Sequence, residues 1–203
     1  MVLDLPTARN ALRDKCLDSL YLLTKGVLGY VDLSEESSIH ADLCEFLESY
    51  DTWESGDGGV FVFRGSFKST ICSIAFPIWL AIKDRGVRIL LASMIDINAM
   101  KFLGAIRKQI ESNEKLKWLF PELIPKNFTK AKWSDKAACV SRPDSMIHKD
   151  STFEAAGLGT TVTSGHFNWI IEDDTIAPRK DDFTKSYAMP TQMDIEKAIG
   201  WHE

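Results

Sequence analysis

Val60-Phe61-Val62-Phe63-Arg64-Gly65-Ser66-Phe67-Lys68-Ser69-Thr70 is the stretch from which the rest of the chain is read. Four strand-forming apolar residues run into a short loop, and Lys-Ser-Thr then opens a helix with apolar residues at helical spacing. Strand, tight loop, Lys-Ser/Thr and helix is the order in which a P-loop presents backbone N–H groups, a lysine and a hydroxyl to a nucleotide's phosphates. Lys68 would pair with the β- and γ-phosphates, and the Ser69 hydroxyl would ligate Mg²⁺. The usual pattern places one Gly directly before the Lys and another five residues earlier. Here those positions hold Phe67 and Val62, and the nearest glycine is Gly65. An ordinary strand-turn-helix with a solvated Lys68 reads the same way on this stretch alone.

Downstream, the helix after Ser69 carries Ile71, Ile74, Ala75, Ile78, Trp79 and Ile82 as one stripe, and Pro77 inside it predicts a kink. Residues 87–92 (VRILLA) form a near-continuous apolar run, the mark of a strand buried on both faces. A helix to about Asn113 follows, with Ala99, Phe102, Leu103, Ile106 and Ile110 inward. This alternation predicts βαβ units, and so an α/β fold whose mostly parallel sheet is flanked by helices. Residues 126–133 (KNFTKAKW) mix cations with Phe128 and Trp133, which suits a nucleic-acid-contacting loop or a solvated loop with two tucked aromatics. Short strands are expected at 138–141 and 151–155.

Phe167-Asn168-Trp169-Ile170-Ile171-Glu172-Asp173-Asp174 is the second informative stretch. Adjacent carboxylates at a strand end repel one another unless a cation is present. In P-loop enzymes Asp173 would hold Mg²⁺ and Asp174 would orient or deprotonate the attacking water; a structural strand end or a two-metal nuclease site remains open on these residues alone. Glu172 is expected on the opposite face by strand alternation. Asp181 and Asp182 read as solvated or as a helix N-terminus. The phosphate loop and the acids lie about a hundred residues apart with βαβ units between, and the C-terminal ends of parallel strands would bring them to one sheet edge.

Upstream, residues 9–25 predict a helix with Leu12, Cys16, Leu20 and Leu23 on one face, and residues 38–50 a second one with Ile39, Leu43, Phe46 and Leu47. Of the 203 residues 45% are apolar and 26% charged, which fits one globular domain. No apolar run is long enough to span a membrane, and the first ten residues carry no basic-then-apolar leader. Cys16, Cys44, Cys72 and Cys139 form no CxxC pair, so reduced thiols are expected rather than zinc ligands or disulfides. A net charge of −5 neither requires nor excludes a local basic face.

Several features together resemble the N-terminal ATPase domain of large terminase subunits, the DNA-packaging motors of tailed bacteriophages. They are Ile39-His40-Ala41-Asp42-Leu43-Cys44 with Phe46-Leu47-Glu48, the loop Arg64-Gly65-Ser66-Phe67-Lys68-Ser69, and Leu90-Leu91-Ala92-Ser93. Asn113-Glu114-x-Leu116 with Leu119-Phe120-Pro121 follows, then Gly157-x-Gly159 and Gly165-His166-Phe167-Asn168 before the acids. The resemblance covers residues 36–203, and the family tolerates degenerate phosphate loops.

That resemblance implies a P-loop NTPase fold of the additional-strand catalytic-acid type over 36–203, preceded by a helical segment at 1–35. It implies ATP and Mg²⁺ as cofactors, with Arg64, Gly65, Ser66, Phe67, Lys68, Ser69 and Thr70 around the phosphates. Arg64 would sense the γ-phosphate, Asp173 and Ser69 would serve the metal, and Asp174 stands where relatives have the catalytic Glu. His40 would lie near the adenine or simply at the surface. Arg107, Arg142 and Arg179 are candidates for the arginine that one subunit lends to its neighbour. Implied partners are double-stranded DNA, a portal protein, a small terminase subunit and further copies in a ring on the portal, all in the host cytoplasm. The family's coupling strand, lid and nuclease would follow the region in which this sequence ends. A helicase-like ATPase and a non-hydrolysing assembly module with a decayed site are the alternatives.

Overall fold

A computed structural model describes residues 4–34, 38–54, 56–146, 149–158, 160 and 165–175, together with the backbone at 179–180 and 187–188. The expected helix at 181–184, the one after the acids and the side chain of Arg179 lie outside these residues.

The fold is α/β, with a four-stranded mixed sheet flanked by helices. The apolar run predicted as a buried strand forms β1 (Ile89–Ser93), with every residue buried. It pairs in parallel with β3 (Phe153–Gly157) on one side and with β4 (Trp169–Glu172) on the other. A two-residue strand, β2 (Ala137–Ala138), adds to β3 in antiparallel sense, giving the order β2-β3-β1-β4. Two further short strands, β5 (Arg179–Lys180) and β6 (Tyr187–Ala188), pair with each other in antiparallel sense.

The helices meet the sequence reading with instructive differences. The first is interrupted: α1 (Leu5–Asp18) ends at Ser19, and α2 (Leu20–Leu22) restarts before a wide π turn over Leu23–Val27. Ser19 explains the break, because its hydroxyl accepts from Leu22 N–H and so caps the second helix rather than continuing the first. Leu12 is consequently exposed, whereas Cys16, Leu20 and Leu23 are buried in the core that also holds Trp79, whose indole N–H donates to Cys16 O at 3.1 Å. Residues 16–33 are thus built into the same core as the sheet. Helix α3 (Ile39–Glu48) buries Leu43 and Leu47 but leaves Ile39 and Phe46 at the surface, where Phe46 stacks on Trp53.

After the phosphate loop, α4 (Lys68–Thr70) passes through a π turn, Ile71–Ala75, into α5 (Phe76–Lys83). Pro77 is the physical reason. It has no N–H to offer Ser73 C=O, and its ring would collide with that carbonyl in a regular turn, so the backbone widens and Phe76 N–H bonds Ile71 O instead. The predicted kink takes this form. Helix α6 (Asp96–Ser112) buries Ala99, Leu103, Ile106 and Ile110 as expected, and α7 (Glu114–Leu119) follows, capped by the Asn113 side chain. Among the described residues no helix is long and apolar enough to cross a membrane.

Residues 60–63 do not form the expected strand. Phe61 is 98% exposed and Phe63 68% exposed, and among the described residues no strand pairs with them.

Asp96 ties the C-terminal end of β3 to the start of α6. Its Oδ1 accepts from Gly157 N–H and Thr160 Oγ1, each at 2.6 Å, and Lys136 Nζ lies 3.5 Å from Oδ2. Gly157 is required there, since a Cβ would sit 2.5 Å from Asp96 N. The Thr160 and Gly157 hydrogen bonds, then Lys136, hold the carboxyl below its ordinary 3.8. Its contribution is therefore complete above pH 3.8 and lost as pH falls through the depressed value. Asp96→Ala should cost about 1 kcal/mol in urea unfolding at neutral pH. The gap from the parent should shrink once the parent's own carboxyl is protonated.

Candidate nucleotide site

Three strands end on one edge of the sheet, and the candidate residues gather there. Asp173 N–H donates to Ala92 O at 3.0 Å, which continues the β1–β4 ladder one residue beyond β4. Asp174 then turns into the left-handed region, φ 51°, where its carbonyl accepts from Met94 N–H. Aspartate is among the few residues that take this conformation readily.

Lys68 reaches this edge from the loop. Its Nζ forms an ion pair with Asp173 Oδ1 at 2.5 Å and lies 3.7 Å from Asp174 Oδ1. The cation that consecutive acids demand is thus supplied by the phosphate loop itself. Asp173 is almost fully buried (3% exposed), and its other oxygen accepts a long 3.4 Å contact from the Ser73 hydroxyl. Burial alone would lower the Lys68 pKa. The contact and charge of Asp173, followed by the charge of Asp174, outweigh it and hold Lys68 above its ordinary 10.5. Lys68 therefore stays charged at neutral pH, and the stabilisation it gains is lost only as pH rises through that elevated value.

Residues 62–70 and Asp174 line a cleft of about 700 Å³. Arg64, Gly65, Ser66, Phe67, Lys68, Ser69 and Thr70 all contribute to it, as the sequence reading expects. Ser66 is 3% exposed, and its hydroxyl has no hydrogen-bond partner among the described residues. A buried hydroxyl without a partner costs about 1–3 kcal/mol, so this one is suited to an acceptor that enters the cleft. Arg64 is exposed on the rim. Asp173 and Glu172 line a neighbouring cleft with Lys68, whereas Asp174 faces the loop side. Glu172 is thus separated from the phosphate-loop cleft, but it lines one cleft together with Asp173, so the left-handed turn at Asp174 rather than strand alternation parts the acids.

Phe67 stands where the usual pattern has glycine, and it adopts glycine's conformation, φ 56°. For a residue with a Cβ this costs about 1–2 kcal/mol. Its ring meets His40 edge-on at 5.5 Å, a contact that helps hold the backbone in place. His40 is not at the surface. It is 8% exposed, because its Nδ1 accepts from Ser34 N–H at 3.0 Å and contacts the Ser34 hydroxyl at 2.8 Å while its ring packs on Phe67. Ser73 and the support given by His40 to the loop were not legible in the sequence. Pro77, four residues after Ser73, is the one signal that could have pointed to the widened turn.

Other candidates are already engaged. Arg107 pairs with Asp135 and Glu111 and covers Trp133, while Arg142 holds Arg85 O, Asp150 O and Thr152 Oγ1. Phe128 and Trp133 are half-buried, meeting each other edge-on and packing against the core, which fits the solvated loop with two tucked aromatics. Burial and then the charge of Asp173 push the Cys72 thiol up to about 12, despite Lys68, so it is a poor nucleophile. Among the described residues no three His, Cys, Asp or Glu side chains are arranged to hold a metal ion on their own. Compared with known proteins, the chain matches no protein-family model and no curated protein.

Proposed function

We propose that residues 36–203 are the ATP-binding and ATP-hydrolysing domain of a bacteriophage large terminase, with a P-loop NTPase fold of the additional-strand catalytic-acid type. One observation carries the reading: Lys68 of a degenerate phosphate loop meets Asp173 at the end of a parallel strand, with Asp174 beside it. A buried carboxylate draws any cation within reach, so what favours this reading is that the cation comes from the Lys-Ser-Thr loop and meets the strand-end acids where a nucleotide's phosphates and metal would lie.

ATP would lay its phosphates in the cleft lined by 62–70. Lys68 leaves Asp173 for phosphate oxygens, the Ser66 hydroxyl gains an acceptor, and the first N–H groups of α4, which have no intrahelical partners, face the same charge. The donor set fits Mg²⁺, a hard cation commonly held by one or two carboxylates and by phosphates rather than by a full protein cage; Asp173 and the Ser69 hydroxyl would hold it, and it would neutralise charge on the phosphates. Asp174 orients and deprotonates the attacking water, and Arg64 reaches from the rim toward the γ-phosphate. Turnover would be coupled to moving double-stranded DNA, with a portal protein, a small terminase subunit and a ring of further copies as partners in the host cytoplasm.

Calorimetric titration of Mg·ATP into the chain, followed by phosphate release with and without double-stranded DNA, tests this. Expected are binding in the micromolar to millimolar range and turnover that DNA raises. No binding would sink the ATPase reading. Binding without any effect of DNA would remove the packaging reading and leave a nucleotide-binding module.

A further inference from the structure

Lys68 stands on the divide between two clefts. Its side chain lines the phosphate-loop cleft with Ser66, Ser69, Thr70 and Asp174, and also the neighbouring cleft of about 910 Å³, which Asp173 lines. The ammonium sits toward the second side, where it meets Asp173 Oδ1 at 2.5 Å, and 30% of the side chain stays exposed. The other carboxylate oxygen, Oδ2, faces the Ser73 hydroxyl. Both oxygens of this buried carboxylate are therefore engaged by donors of the chain itself.

A divalent metal held by one or two carboxylates needs the same oxygens. Two cations on one buried carboxylate repel each other, and a tethered cation competes with a free one at an effective concentration in the millimolar range or above. Asp174 is 72% exposed and lies 3.7 Å from the same ammonium, so it adds little hold of its own. Among the described residues no further His, Cys, Asp or Glu joins these two in a metal-holding group. The phosphate-loop cleft supplies the opposite pull. Ser66, 3% exposed and with a hydroxyl that has no partner among the described residues, lines it with Lys68 and is suited to an acceptor. A phosphate chain there meets both the hydroxyl and the ammonium, with more negative charge than the single carboxylate it competes against.

We propose that Lys68 is a resident counter-ion that keeps divalent metal off Asp173 until phosphates in the loop cleft draw the lysine away. Metal then joins the site with the nucleotide or after it, never before it. Asp173 stays paired with a cation throughout, first the lysine and then the metal. This order rests on the ATP-binding reading and deepens it.

Mn²⁺ serves as the probe in place of Mg²⁺, because loss of its free paramagnetic resonance signal counts bound ions without any nucleotide. The parent should leave the signal of millimolar Mn²⁺ intact, while calorimetry with ATP, free and with Mg²⁺, should show binding. Lys68→Met removes the charge and keeps an apolar stem. It should take up Mn²⁺ at least about ten-fold more tightly than the parent, and Mn²⁺ should raise its midpoint in urea. Adding Asp173→Asn to Lys68→Met should abolish the uptake. Mn²⁺ bound by the parent without nucleotide overturns the proposal, and that measurement requires no variant to fold. So does a folded Lys68→Met chain that takes up none, or uptake that survives Asp173→Asn. ATP that binds the parent neither free nor with Mg²⁺ removes the ATPase reading and the release of Lys68 with it. The Mn²⁺ measurements contain no nucleotide, so their failure is distinct from that one.

Discussion

Lys68→Ala is expected to abolish Mg·ATP binding and to destabilise the fold at the same time. The second effect follows from the ion pair. Without the lysine, the Asp173 carboxyl is left at 3% exposure without its cation, and among the described residues the long Ser73 contact is the side-chain hydrogen bond that remains. Removing one member of a fully buried pair costs about 3–5 kcal/mol, and Lys68 is partly exposed, so about 1–3 kcal/mol is expected. Loss of binding in this variant alone is therefore ambiguous, because a weakened fold would also bind less. Lys68→Ala combined with Asp173→Asn separates the effects. The neutral amide removes the uncompensated charge, so urea unfolding should recover most of the lost stability while calorimetry still finds no binding. Single-variant binding equal to that of the parent would sink the phosphate role of Lys68. A double variant that regains both stability and binding would make the lysine a structural counter-ion.

The sequence made the local parts of this architecture legible and the pairings less so. A continuous apolar run from Ile89 and a 3.6-residue stripe from Ala99 to Ile110 leave one reading each, because burial on both faces and on one face write different patterns. The acids at 172–174 marked their strand end for an electrostatic reason, and their need for a cation is met by Lys68. Residues 60–63 were misread because strand propensity states what a segment can do, whereas a strand exists only with a neighbour to bond, and no described strand lies beside them. Phe67 departs from the pattern in side chain but not in backbone, since the loop imposes φ 56° and the His40 contact helps to hold it. Ser73 and the burial of His40 arise from contacts distant in the chain or from a widened turn, and neither leaves a periodic trace.

Asp174→Asn should lower turnover by about 10²–10⁴-fold, the usual contribution of a positioned general base, with ATP affinity unchanged or tighter. The substitution is conservative where the fold is concerned. Asparagine accepts the left-handed conformation at φ 51° as readily as aspartate, the carbonyl that receives Met94 N–H is retained, and the side chain is 72% exposed, so no core contact is lost. What changes is one negative charge 3.7 Å from Lys68 and the capacity to take a proton. Removing that charge eases the approach of phosphates, hence the affinity expected; removing the base stops proton transfer from water. Glu172→Gln is the comparison, because Glu172 lines the neighbouring cleft and its neutralisation should leave turnover within a few-fold of the parent. Asp174→Glu asks about reach: it keeps the carboxylate, lengthens it, and bears about 1–2 kcal/mol of backbone strain. Intermediate turnover in that variant places the carboxylate's position, not merely its charge, in the reaction. Full turnover in Asp174→Asn alongside a loss in Glu172→Gln would reverse the assignment and place the water on the β4 side of Lys68.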